Sequence, residues 1–190
     1  QTGFTLLEIL VVVFIAGMMA GLTVMSVGGN STREFKRDVA RIQQVMNLAA
    51  DEAQFNGQEL GLWLSPDGKS YTFYTFDDKN VEWVPYDKHG FTTYALPHAY
   101  QMELEMLGKP VDLAELYKEM YKLDDKITEY GETPITPLLI FFSDGDYTPF
   151  HLWLTNPAVK ESVYVLEGDG LGAIRSKSVN KSDKPDFQRE

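Results

Sequence analysis

The residue whose chemistry stands out is an acid set against an apolar stretch. Glu8 follows Gly3-Phe4-Thr5-Leu6-Leu7 and precedes a run from Ile9 to Val27 whose polar members are Thr23 and Ser26. An ionised carboxylate in hydrocarbon costs on the order of 3 kcal/mol near the centre of a span and less toward its ends, so this one calls for a cationic partner. An α-amino group would serve, and a cut between Gly3 and Phe4 would create one. As a helix, Phe4 to Val27 would reach roughly 36 Å, more than the about 30 Å of bilayer hydrocarbon.

Gly3-Phe4-Thr5-Leu6-Leu7-Glu8 in front of that run resembles the type IV prepilin signal, shared by pilins and by the pseudopilins of type II secretion systems. The resemblance implies that a membrane prepilin peptidase cuts after Gly3 and methylates the new amine of Phe4. It also implies that Glu8 pairs with the N-terminus of a neighbouring subunit during assembly. A generic signal anchor with an incidental Glu explains the hydrophobicity equally well. A cleaved secretory signal expects a small-residue cleavage site after a shorter apolar region, and nothing after Val27 resembles one.

Other residue types that could do chemistry give less. His89, His98 and His151 are scattered with no partner at ligand spacing, and Ser65, Ser143 and Ser162 lack the glycine frame of a nucleophile elbow. Asp144-Gly145-Asp146 could offer hard oxygen ligands to calcium, though Asp and Gly in a hairpin turn account for it on backbone grounds. Gly168, Gly170 and Gly172 have no helix after them to complete a phosphate loop, which excludes nucleotide binding of that kind. With no cysteine in 190 residues, disulfides, Cys-ligated zinc and thiol catalysis are excluded. A net charge of −11 and a pI near 4.7 argue against nucleic acid as a partner. We expect no enzyme activity, no cofactor and no metal.

The elements that must position Glu8 follow from patterning. Gly17 and Gly21 form a small-xxx-small pair that would let another helix approach closely. Gly28-Gly29 lowers helix propensity, and a bend or melted segment is expected there. From Ser31 the sequence turns amphipathic, with Phe35, Val39, Ile42, Met46, Ala49 and Ala53 at steps of three and four, the core face of a helix that Asn56-Gly57 would stop. We therefore expect a leader remnant at 1–3, a spine helix over 4–55 with its transmembrane part at about 4–27, a β-rich domain at 56–176 and a disordered tail at 177–190.

Within the domain, Pro66-Asp67-Gly68-Lys69 predicts a hairpin between strands at Leu60–Ser65 and Ser70–Phe76, followed by a strand at Val81–Val84 and another at Phe91–Tyr94. Tyr100–Leu107 alternates, with Met102, Leu104 and Met106 on one side and Glu103 and Glu105 on the other. Asp112 would cap a helix through about Leu123, its stripe formed by Leu113, Leu116, Met120 and Leu123, inside an insertion from Gly108 to Gly131. Asp124 to Thr136 reads as a loop. Strands at Leu138–Phe142, Tyr147–Leu154, Ser162–Leu166 and Leu171–Ser176, separated by turn signals, complete an antiparallel sheet. The fold class is α+β.

Phe141-Phe142-Ser143-Asp144-Gly145 followed by Tyr147-Thr148-Pro149-Phe150 is similar to the glycine-centred hairpin of the H-type minor pseudopilins of type II secretion and their pilus-associated relatives. That resemblance implies a pilin-like fold and a low-copy structural subunit near the tip of a periplasmic pseudopilus that helps push folded exoproteins through an outer-membrane secretin. The implied partners are other minor pseudopilins of a tip complex, the major pseudopilin, the prepilin peptidase, an inner-membrane assembly platform with its ATPase, and inner-membrane lipid. Arg33, Lys36, Arg37 and Arg41 after the apolar run would by themselves count toward a cytoplasmic C-terminal side. We expect basic leader residues ahead of Gln1 to outweigh them, leaving the domain periplasmic on a single-pass anchor. The alternatives are a minor pilin of a type IV pilus or competence system, or a membrane-anchored periplasmic enzyme.

Overall fold

One helix, α1 (Leu6–Asn56), organises the computed structural model, which describes residues 6–88, 90–97, 99–124, 135–159 and 163–187, without the side chains of 19–30 and 121–124. α1 is unbroken across Gly28-Gly29, where a bend or melted segment was expected. Each glycine costs about 1 kcal/mol relative to alanine but keeps its amide donor, and the helix flanking the pair on both sides propagates through it. The stop falls at the residues that favour it. Gly57 adopts φ +62° and Gln58 N donates to Ala53 O at 3.1 Å, the closing bond of a left-handed C-terminal cap.

Beyond the cap the chain forms β1 (Leu60–Leu64), β2 (Ser70–Asp77), β3 (Glu82–Pro85), β4 (Tyr94–Ala95), β5 (Gln101–Met106), β6 (Lys109–Val111), α2 (Leu113–Asp124), β7 (Leu139–Phe141), β8 (Phe150–Thr155), β9 (Val163–Gly168) and β10 (Arg175–Val179). These make two antiparallel sheets, β3-β2-β1-β7 with β4 also on β2, and β10-β9-β8-β5-β6. The β1–β2 turn is held by Asp67, whose Oδ1 accepts from Ser65 Oγ at 2.6 Å and Lys69 N at 3.0 Å. The Ser65 bond leads in holding the Asp67 carboxyl below the usual range.

The core lies where the upper half of α1 meets both sheets. Phe35, Val39, Ile42, Met46, Ala49 and Ala53 are all buried, joined by Leu60, Leu62, Phe73, Leu104, Phe141, Leu152 and Leu166 from the sheets. Phe35 sits edge-on to Tyr100 and Tyr164 at 4.9 and 5.4 Å between ring centres. Asp112 Oδ1 accepts Glu115 N at 3.0 Å and caps α2, as expected. The deepest α2 contact, however, is Tyr117, four residues after Leu113 and 5.7 Å ring to ring from Trp63, rather than Leu116.

Several expectations need correction. The strand placed at Phe91–Tyr94 is a two-residue pairing at Tyr94–Ala95. The last strand starts at Arg175 instead of Leu171, because Gly170 and Gly172 at φ +100° and +70° keep the chain turning. β6 was missed within the insertion, and the loop expected at 124–136 lies largely outside the described residues. Residues from Lys177 are structured as far as described: β10 pairs with β9 through Val179, a 3₁₀ turn spans Lys181–Asp183, and Phe187 packs on Trp153, Val163 and Val165. The physical reason is that β9 would otherwise leave an open edge and this sheet an uncovered apolar outer face.

Candidate assembly surfaces

Gly3 and Phe4 lie outside the described residues. Glu8 stands in the first turn of α1, where the positive end of the helix dipole favours a carboxylate. Around it α1 has no polar face. From Leu6 to Met18 every residue is exposed, including Leu7, Leu10, Val13 and Phe14. Side chains of this kind, exposed all around a helix, demand an apolar environment of lipid or other helices. A Cβ added to Gly17 meets nothing within 4 Å, so its surface is open; Gly21 lies in α1, with its surroundings outside the described residues. Among the described residues no helix is long and apolar enough to cross a membrane. The sequence run to Val27 passes through the residues whose side chains are not described.

The hairpin around Ser143-Asp144-Gly145 joins the two sheets. Phe142 N donates to Asp146 O at 2.8 Å, Gly145 N to Phe142 O at 3.1 Å and Asp146 N to Asp144 Oδ1 at 3.1 Å. Asp144 thus serves the turn itself. Among the described residues no group of three His, Cys, Asp or Glu could hold a metal ion. Tyr147 bridges Phe141 of one sheet and donates its amide to Gly170 O beside the other at 3.0 Å, while its hydroxyl donates to Asp169 Oδ1 and Leu171 O, each at 3.3 Å. Burial, then the Asp169 charge, raises the Tyr147 pKa above the usual phenol value. Gly168 belongs to this packing, since a Cβ there would stand 2.7 Å from Phe150 and 2.8 Å from Tyr147.

Sequence reasoning missed a clasp on α1. Ile174 N donates to Asn47 Oδ1 at 2.9 Å, and Ile174 O accepts from Asn47 Nδ2 at 3.1 Å and Gln43 Nε2 at 3.0 Å. One side-chain amide here satisfies both backbone groups of a residue about to enter β10. Nothing in the sequence marks it, because a polar residue on the helix flank looks the same whether it faces water or backbone.

No family model matches the chain. It is 30% identical over 172 residues to the type II secretion system protein H of Pseudomonas aeruginosa, covering 89% of this chain and 91% of that protein. The chain belongs to the type II secretion system protein H family. Its fold is that of the minor pseudopilin EpsH from the Vibrio cholerae type 2 secretion system, at TM-score 0.55 and 19% identity over 75% of this chain and 95% of that one. The solution structure of Escherichia coli GspH matches at TM-score 0.53 and 20% identity over 84% and 96% of the two chains.

In this protein H family member, the outer face of the second sheet departs from simple alternation. Glu105, expected to face water, is buried, accepting from Trp153 Nε1 at 2.9 Å and lying 3.3 Å from His151 Nδ1. Glu103 pairs with Lys184 from the C-terminal segment. The bulk of Trp153 on the adjacent strand covers Glu105, and its indole N–H satisfies the carboxylate it covers. His151 is thereby tied to a structural pair; His89 and His98 lie outside the described residues.

Proposed function

We propose that the chain works as a non-catalytic subunit near the tip of a periplasmic type II secretion pseudopilus, which helps push folded exoproteins through the outer-membrane secretin. The observation that carries this reading is the division of a single helix, bare and apolar around its whole circumference below, buried along one stripe above. Before assembly the lower half rests in inner-membrane lipid as a single-pass anchor; in the filament it packs among the helices of the major pseudopilin and other minor pseudopilins, with Gly17 and Gly21 admitting close neighbours. Cleavage after Gly3 by the prepilin peptidase exposes the amine of Phe4, which is then methylated. Glu8 answers that cation on the adjacent subunit, which removes the cost of an acid in an apolar setting. Work comes from an ATPase at the inner-membrane platform, so the subunit needs neither cofactor nor metal.

The test is a Glu8→Ala strain examined for exoprotein release and membrane level of the subunit. Release should be abolished at unchanged level, and normal release would overturn the assembly role of the carboxylate. Intact mass of the mature protein should fit an N-terminus at Phe4 carrying one methyl group. A bulky replacement of Gly3 should leave the precursor uncut in the membrane.

A further inference from the structure

The two ends of the globular domain differ in charge and in exposed apolar surface. Its near end is set where Phe35 meets Tyr100, the residue before β5, and where Met102 N donates to Gly68 O at the β1–β2 turn. Its far end is set by Leu60 paired with Phe141 just beyond the α1 cap, and by Tyr147 bonded to Gly170. From Phe35 to Asn56 α1 covers about 32 Å at 1.5 Å per residue. β2 and β5 both run toward the far end, so the tip carrying Val81 and the tip carrying Leu107 lie there with Phe55 and Leu171.

These four side chains are exposed to 74%, 91%, 88% and 65% respectively. Val81 and Leu107 also hold positive φ, 59° and 53°, without being glycine. An aliphatic side chain left in water on a left-handed backbone gives the isolated domain nothing, and for β-branched Val81 the conformation is unfavourable. Acids surround these tips: Asp78 and Glu82 flank Val81, Asp144 and Asp146 occupy the hairpin beside the end of α1, and Asp169 precedes Leu171 by two residues. Lys79 and Lys109 are cations at the same end. At the near end, Arg33, Lys36, Arg37 and Arg41 are exposed on α1 after the apolar run and outnumber the acids among them, exposed Glu34 and half-buried Asp38.

We infer that the far end of the domain is a docking face for the basic stretch of spine helix of the pseudopilin stacked next along the filament. This rests on the filament reading above and adds the contact that spaces the subunits. A subunit with unlike ends associates head to tail, the arrangement that builds an open filament instead of a closed pair. The near end of this chain shows the required chemistry in its neighbour, arginine and lysine on a helix whose alkyl stems cover apolar surface while their heads meet carboxylates.

The test places a photo-crosslinking amino acid in the full chain in secreting cells. Benzoylphenylalanine at Val81 should give adducts that map to the Arg- and Lys-rich spine segment just past the apolar run of another pseudopilin. Asp78→Lys with Glu82→Lys in the same chain should lower that yield about tenfold, as expected for close charge pairs across an interface. The same probe at Phe14 reports filament packing independently. Phe14 adducts with Val81 adducts absent, mapped to a globular domain, or unchanged by charge reversal would overturn the docking face alone. No adducts from Phe14 would overturn the filament reading and the inference with it.

Discussion

The lower and upper halves of α1 share one backbone conformation and differ in what surrounds them. From Leu6 to Met18 the apolar residues run all around the helix and every one is exposed. From Phe35 to Ala53 they recur at steps of three and four and all six are buried. Helix propensity is served in both, so propensity does not choose the environment; the angular distribution of apolar side chains does. On the proposed filament reading the lower half serves the assembly and the upper half the domain, and substitutions should separate the two.

The widest separation should come from a matched pair. Phe35→Ala removes a fully buried ring and should cost about 3–5 kcal/mol in denaturant unfolding of the domain. Phe14→Ala should move the same midpoint by no more than about 0.5 kcal/mol while impairing assembly. Equal losses from both would erase the distinction between the halves.

Next in size is an alkaline effect confined to the domain. Burial leads in raising Tyr71 and Tyr100 to about 12 from 10.0, with the Asp38 charge adding at Tyr100. A native pKa above the unfolded one means that the folded state holds its protons longer. The associated stability is complete below pH 10 and lost as pH rises from 10 toward 12. Ultraviolet titration of the phenols beside circular dichroism should show these tyrosines ionising late, together with unfolding, and Tyr71→Phe should flatten the decline.

Asn47→Ala leaves Ile174 N without its partner, while Gln43 Nε2 still donates to Ile174 O, and should cost about 1–3 kcal/mol, the range for a buried polar group left unsatisfied. Gln44→Ala, on the exposed flank of the same turn, should be silent. The smallest effect is expected between the halves. Alanine at Gly28 and Gly29 should stabilise the helix by about 1 kcal/mol per site, slowing amide exchange nearby without shifting the domain midpoint. Faster exchange would show that the unbroken helix depends on glycine there.

How much was legible in the sequence follows the same division. The six-residue core stripe of α1, its stop at Asn56-Gly57, the β1–β2 hairpin and the Asp112 cap were readable because each is decided by neighbours in the chain. Glu105, Asn47 and the run of the last strand beyond Ser176 to Val179 were not, since each is decided by a partner 46 residues or more away or by an open sheet edge. In α2 the helical period was right, yet Tyr117 outranked Leu116, because Trp63 waits on the facing strand and no local pattern announces it. For the proposed assembly residues, Glu8 and the apolar run were visible as an acid beside a greasy stretch. The exposed tips at Val81 and Leu107 were not, because exposure at a turn and burial in a strand end look alike in one dimension.

The Asn47 clasp has a mechanical consequence. With the side-chain amide locked to both backbone groups of Ile174 and Gln43 bonded one turn earlier, the start of β10 cannot swivel around the helix without breaking all three bonds. Torque applied at the start of α1 would be delivered to the head as rotation, the way a keyed shaft turns its wheel. A screw motion at the base of the fibre would thus reach every surface the subunit presents.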